Sequence, residues 1–246
     1  NKNLDFERYQ SVFQNANPFS HLVIDNFFEN NLLNEVSDSF PDIENSNWFR
    51  FRDKIGEHKN IFESGMNAIS KPEKMPPTCR SFLYVLNSIE FCKILERLTG
   101  IKNIQPDTHW HYTGLRVNTP GSHQLIHSDA LFHPHLKKRK ILTCMIYLTK
   151  KWKKEDMGSL ELWDDNMREC FREVSPIFNR VVIFENTDKS YHGVPEVSAE
   201  RKSITWSILK KGDVGKRSKA LFVSRPQDNK KIGELGKKRA YIQDAK

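Results

Sequence analysis

His127-Ser128-Asp129 places an imidazole and a carboxylate two residues apart. On a strand that spacing turns both side chains to one face, where they can reach a single ion. A third ligand must then come from elsewhere in the chain. His192 is the best placed, in Ser190-Tyr191-His192-Gly193-Val194-Pro195, just after the apolar stretch Val181-Val182-Ile183-Phe184. Two imidazoles and one carboxylate on one face of an octahedral ion leave three positions open, the ligand set of non-haem iron(II) oxygenases. An H-x-D pair alone is weak support, because it arises by chance in many proteins. The nine histidines also permit other pairs: His109 with His111, and His133 with His135. His133-Pro134-His135 reads as a loop, with contact to substrate or metal as the alternative. His109, His111 and His123 read as packing or surface residues.

The stretch that opens at Arg201 adds an anion site. In a strand, Arg201, Ser203, Thr205 and Ser207 face one way, and Lys202, Ile204, Trp206 and Ile208 face the other. An inward Arg is costly to bury unless it meets an anion. A dicarboxylate cosubstrate would supply one, held by two parallel guanidinium hydrogen bonds and by Ser203. A structural ion pair is the plain alternative. Upstream, Arg116 and Asn118 alternate inward in Leu115-Arg116-Val117-Asn118-Thr119-Pro120-Gly121, where Pro120-Gly121 makes the turn. They are candidates for the other end of the cosubstrate, or are ordinary strand polarity.

These residues need a frame. From residue 109 onward apolar residues recur at period two, and 109–118, 124–129, 140–149, 158–163, 180–185 and 201–209 read as strands. Before them, residues 21–28 read as a strand leading into a helix capped by Asn30 or Asn31 and ended by Pro41. Residues 42–75 are polar and irregular, and read as a surface excursion. Residues 78–98 have helical spacing, as one helix or two, stopped by Gly100. Helices first and strands afterward predict an α+β, mainly β fold: a sandwich or barrel with helices packed on one outer side.

The net charge of +8 is uneven. Residues 210–246 hold twelve Lys/Arg and four Asp/Glu, so the rest of the chain balances. Any electrostatic partner, RNA or an anionic membrane surface, is therefore confined to this tail. The four cysteines, Cys79, Cys92, Cys144 and Cys170, lack metal-site spacing and read as free thiols of a reducing compartment. No apolar run is long enough to cross a bilayer. No signal peptide opens the chain as given, and its first residue is Asn, so a trimmed leader stays open. A cytoplasmic location is expected, with peripheral membrane contact through the tail as an option.

From about Asn17 to Lys211 the sequence resembles the prolyl-hydroxylase-like branch of the Fe(II)/2-oxoglutarate dioxygenase superfamily. The matching segments are Leu98-Thr99-Gly100-Ile101, the Gly121 turn before His127-Ser128-Asp129, and Ile146-Tyr147-Leu148. They continue with Gly158-Ser159-Leu160-Glu161-Leu162-Trp163, Phe178-Asn179-Arg180-Val181-Val182-Ile183-Phe184, Ser190-Tyr191-His192-Gly193 and Arg201-Lys202-Ser203. The second half is similar to the catalytic domain of ribosomal-protein prolyl hydroxylases and to bacterial and phage relatives.

The resemblance implies a double-stranded β-helix, or jelly-roll. It implies Fe(II) on His127, Asp129 and His192, and the distal carboxylate of 2-oxoglutarate on Arg201. It also implies O2 as cosubstrate, with succinate and CO2 as products of C–H hydroxylation. Arg116 and Asn118 sit where relatives often carry Tyr or Asn. The expected layout is one domain over 1–211, with helical support at about 17–100 and a jelly-roll core at about 105–211. A basic extension follows at 212–246. The substrate is left between a prolyl residue of a protein and a small anionic sugar of the cell-envelope (Kdo/lipid A) type. A non-catalytic binding module of the same fold is the third reading. Residues 42–75 and 131–140 are the candidate substrate rim, with Trp152 and Trp163 as possible lining.

Overall fold

The computed structural model of the chain describes residues 4–50, 54–55, 58–59, 63–217 and 219–223. The chain opens with α1 (Phe6–Asn15), β1 (His21–Asp25) and α2 (Asn30–Asp38). Four strands follow, β2 (Phe49–Arg50), β3 (Lys54–Ile55), β4 (His58–Lys59) and β5 (Glu63–Ile69). Then come α3 (Pro77–Leu86) and α4 (Ile89–Thr99), and β6 (Ile104–Pro106), β7 (Gly114–Ser128) and β8 (Lys138–Tyr147). The last elements are β9 (Leu160–Trp163), β10 (Cys170–Val174), β11 (Arg180–Glu185), β12 (His192–Val194), β13 (Arg201–Val214) and β14 (Leu221–Phe222).

One sheet holds twelve of the strands, in the order β1-β11-β8-β13-β7-β12-β9-β10 with β2, β5, β6 and β14 at its sides. Its pairings are antiparallel. The sheet curls into a jelly-roll-like barrel, as the sequence pattern predicts. Period-two alternation sorts the residues. On β8, β11 and β13 the residues Leu142, Cys144, Ile146, Val181, Ile183, Ile204, Trp206 and Ile208 pack in the core shared with the helices. The alternate residues Met145, Tyr147, Val182 and Phe184 face the other way, into a second cluster. Helices α3 and α4 seal the outer side with Leu83, Leu86, Leu95 and Leu98, all fully buried. Trp206 meets Phe91 of α4 edge-on, 5.9 Å between ring centres. Burying each such side chain stabilises the fold by about 1.5–3 kcal/mol. Gly100 ends α4 in the left-handed region, at φ +78°.

Several expectations need correction. Residues 42–75 are not merely an excursion: β5 lies there and pairs with β7 along Met66↔Asn118 to Ile69↔Leu115. Its sequence, ESGMNAI, has no apolar alternation, so pairing through the backbone leaves no pattern to read. Helix α1 precedes the helical support expected from residue 17; Phe6 and Tyr9 pack against the core and Phe13 is buried in it. The expected Asn30 or Asn31 cap is also wrong. Glu29 holds the cap position without a side-chain bond, and Asn30 instead accepts a hydrogen bond from Asn179 Nδ2 at 2.8 Å.

Residues 109–113 are a turn rather than strand. The Asp107 carboxylate accepts the backbone N–H groups of His109 and His111 at 2.9 Å each, a local arrangement that competes with strand pairing. Pro120-Gly121 does not reverse the chain, since β7 runs through it with Gly121 at φ +81°.

The chain beyond residue 211 also differs from a free tail. β13 continues to Val214, and Gly215 N–H donates to Lys137 O. The Arg217 carbonyl accepts from the backbone of Leu131 and Phe132 at 3.0 and 2.8 Å. β14 then pairs with β7 as Leu221↔Ser128 and Phe222↔His127. The described start of the basic segment is thus sewn onto the edge that carries His127. Residues 224–246, most of the expected basic extension, lie outside the described residues. Ending the chain after Val223 is expected to leave iron binding intact. Ending it after Val214 removes β14 and is expected to lower both the melting temperature and iron retention. Thermal melts with and without Fe(II) check this, and equal behaviour of the two truncations would contradict it.

All four cysteines are free, and Cys79, Cys92 and Cys144 are buried. Among the described residues no helix is long and apolar enough to cross a membrane.

Candidate metal centre

The strands bring together the three residues whose spacing suggested a metal. His127 is near the end of β7, and His192 opens β12 directly opposite it in register. The 65-residue separation thus closes as one cross-strand pair, with ring centres 4.4 Å apart. Each ring donates its Nδ1–H to the backbone carbonyl two residues before it. His127 donates to Leu125 and His192 to Ser190, both at 2.9 Å. A carbonyl can only accept, so the proton sits on Nδ1 and each Nε2 presents a lone pair. Both Nε2 atoms face Asp129 Oδ1, at 3.5 and 4.0 Å. The ligand atoms of all three residues lie within 4.8 Å of one another. Donors on adjacent positions of an ion with bonds of about 2.0–2.2 Å stand roughly 3 Å apart. Small side-chain rotations close that difference, so this donor set fits an octahedral iron(II).

The electrostatics suit a cation. Burial pushes His192 down to about 4, reinforced by His127, so its ring is neutral at physiological pH and able to ligate. Burial alone would raise the Asp129 carboxyl. The Lys140 ammonium beside it outweighs burial and holds the group well below the usual carboxylate range.

Beside the three residues lies a cavity of about 270 Å³. Arg201, Ser203, Thr205 and Ser207 all line it, as the alternation on their strand predicts. Arg116 and Asn118 line it too. Arg201 is 6% exposed. It donates to Asn118 Oδ1 at 3.0 Å and to the Tyr147 hydroxyl at 3.2 Å. Its Nε–H is buried without a partner. Among the described residues no carboxylate forms an ion pair with it, so the structural ion-pair alternative finds no support. Asn118, a candidate for the other end of the cosubstrate, accepts from the Arg201 guanidinium, its cross-strand partner. Arg116 pairs in register with Ser203 and donates to Ser70 Oγ and the Leu115 carbonyl.

Tyr147 and Thr143 carry no site role in the sequence pattern, and the bond from Lys140 to Asp129 is not readable there. Thr143, Met145 and Tyr147 alternate inward on β8, and that period-two signal was hidden inside an apolar run. Of the expected rim, Met66 and Lys140 reach the cavity, whereas Trp152 and Trp163 do not line it. His133 is structural: its Nδ1 accepts from the backbone of His135 and Leu136, and its Nε2 lies 3.4 Å from buried Asp107.

Residues 112–208 match the family model described as the 2OG-Fe(II) oxygenase superfamily, a span that includes His127, Asp129, His192 and Arg201. Over that matched stretch the chain is a domain of the 2OG-Fe(II) oxygenase kind. It is an oxygenase that works with Fe(II), 2-oxoglutarate and O2. Solved structures show the same fold. A prolyl-4-hydroxylase from Pseudomonas putida matches with a TM-score of 0.61 at 14% identity, covering 83% of this chain and 100% of its own. A prolyl hydroxylase from Trichoplax adhaerens, in complex with a hypoxia-inducible-factor peptide fragment, gives 0.61 at 17% identity, over 84% and 90%. The carbocyclase SnoK of nogalamycin biosynthesis gives 0.54 at 14% identity, over 93% and 89%. One fold thus serves different oxidations, and the reacting molecule must be read from the site.

Proposed function

We propose that His127, Asp129 and His192 hold the iron of this oxygenase and that Arg201 takes the distal carboxylate of 2-oxoglutarate. The observation that carries the reading is the buried Arg201 guanidinium, with one N–H unpartnered and, among the described residues, no carboxylate beside it, in the same cavity as the three donors. A guanidinium so placed is completed by a bidentate anion. Ser203, Thr205 and Ser207 line the same wall and offer hydroxyls to it. Bound iron with 2-oxoglutarate and O2 supplies oxygen insertion into an unactivated C–H bond, with release of succinate and CO2. The protein's own part is to orient the donors, fix the dicarboxylate and exclude water. Met145, Leu160 and Val194 supply the apolar part of the cavity wall.

The substrate we propose is a prolyl residue of a protein, supported by the likeness to prolyl hydroxylases, one of them in complex with a peptide. A second reading, a small anionic saccharide, is favoured by the basic tail, of which residues 224–246 carry seven Lys/Arg and three Asp/Glu. That tail also suits an anionic docking partner such as RNA or a membrane surface. The test is incubation of purified enzyme, Fe(II) and 2-oxoglutarate with a cell extract. Peptides and soluble metabolites are then compared by mass spectrometry with and without enzyme. A gain of one oxygen atom on proline-containing peptides is expected. An oxygenated sugar, with no peptide changed, would replace the prolyl reading by the saccharide one.

A further inference from the structure

Asp129 is held by more than its neighbours in the donor set. Its Oδ1 faces the two imidazoles. Its Oδ2 accepts from Lys140 Nζ at 2.7 Å and from Thr143 Oγ1 at 2.8 Å. Both donors stand on β8, and Lys140 is only 3% exposed. The Thr143 hydroxyl has one proton, and Asp129 receives it. Asn186 Oδ1 lies 3.1 Å from the same hydroxyl, which therefore cannot donate to it as well. The Asn186 Nδ2, meanwhile, is buried without a partner. Turning the amide by half a turn gives Nδ2 a partner, donating to Thr143 Oγ1. The result is a directed chain in which Asn186 donates to Thr143 and Thr143 donates to Asp129. Asn186 is fixed in turn: its N–H donates to the Ile141 carbonyl at 2.9 Å, and its own carbonyl accepts from Arg139 at 3.2 Å.

We infer that Lys140, Thr143 and Asn186 are positioning residues that make Asp129 a ligand through Oδ1 alone. The inference rests on the reading of Asp129 as an iron ligand. A carboxylate oxygen that already accepts two strong donors, one of them charged, is a poor ligand for a cation. The other oxygen is left to coordinate. A buried ammonium near a dication site opposes metal capture by simple charge, so affinity for iron does not account for Lys140. Ligand count does. A carboxylate binding through both oxygens would fill one of the three open positions. 2-Oxoglutarate requires two of them and O2 the third.

The test uses the full chain loaded with Co(II), whose visible absorption reports ligand number and geometry, and with Mn(II) for affinity. Thr143→Val removes only the hydroxyl at nearly constant shape, Lys140→Met removes the ammonium, and Thr143→Ser keeps the hydroxyl. Thr143→Val and Lys140→Met are expected to change the Co(II) spectrum. Thr143→Val is expected to weaken Mn(II) binding by about 10-fold, the usual scale for an outer-shell partner. Thr143→Ser is expected to match the wild type in both. Wild-type spectra and affinity in Thr143→Val and Lys140→Met would overturn the inference, and so would a Thr143→Ser protein as altered as Thr143→Val. Asp129→Ala separates the two levels. If it too binds metal as the wild type does, the metal-centre reading itself fails. If it alone loses metal, only the positioning network is wrong.

Discussion

Arg201→Met is expected to raise the KM for 2-oxoglutarate by about 100-fold or more, with a smaller effect on kcat at saturating cosubstrate. The side chain is buried, and its loss leaves a carboxylate facing the Asn118 carbonyl oxygen and the Tyr147 hydroxyl, groups now turned to the guanidinium. Truncating one partner of a buried charge pair costs about 2–5 kcal/mol, and each 1.4 kcal/mol is tenfold in affinity. Arg201→Lys keeps the charge but loses the planar fork, so it is expected to recover only part of the affinity. Succinate formation against 2-oxoglutarate concentration measures both variants. An unchanged KM in Arg201→Met would place the dicarboxylate elsewhere in the cavity.

Asp129→Ala is expected to remove metal binding and also to destabilise the fold, for a separate reason. Lys140 is buried, and Asp129 is its ion-pair partner at 2.7 Å. Breaking a buried pair from one side leaves an uncompensated charge, at a cost of about 3–5 kcal/mol. The double variant Asp129→Ala/Lys140→Met removes both charges. It is expected to regain most of the lost stability while regaining no metal affinity. Chemical denaturation beside Mn(II) titration measures the two effects on the same samples. A single variant as stable as the wild type would show that the ammonium reaches water.

How much of this was legible in the sequence follows from period. Where alternation was clean, as at Arg201-Lys202-Ser203-Ile204-Thr205-Trp206-Ser207-Ile208, the structure has each residue on the side the pattern assigns. The i, i+2 spacing of His127 and Asp129 was equally readable, since strand geometry alone fixes it. His192 was found by its position after an apolar strand, and the register of β12 on β7 gives the physical reason. What escaped detection had no pattern of its own. β5 is held by backbone pairing to β7 and β2, and its Gly65 approaches Ser122 so closely that a side chain there would meet it. Thr143 and Tyr147 sit in a run that is apolar on both faces, so their inward aim was invisible. Lys140 closes a run of four charges, Lys137-Lys138-Arg139-Lys140, whose composition does not single out one of them. Only the fold shows that it turns inward while its neighbours do not. Strand pairing by Leu221 and Phe222 was lost in a segment whose composition signals only charge.

The account stands most directly on one comparison: iron-dependent conversion of 2-oxoglutarate to succinate by the wild type and by Asp129→Ala/Lys140→Met, each confirmed folded. Turnover that requires added Fe(II) in the wild type and is absent from the double variant is the predicted result. Equal iron-dependent turnover in the two proteins would contradict the assignment of His127, Asp129 and His192 as the iron site.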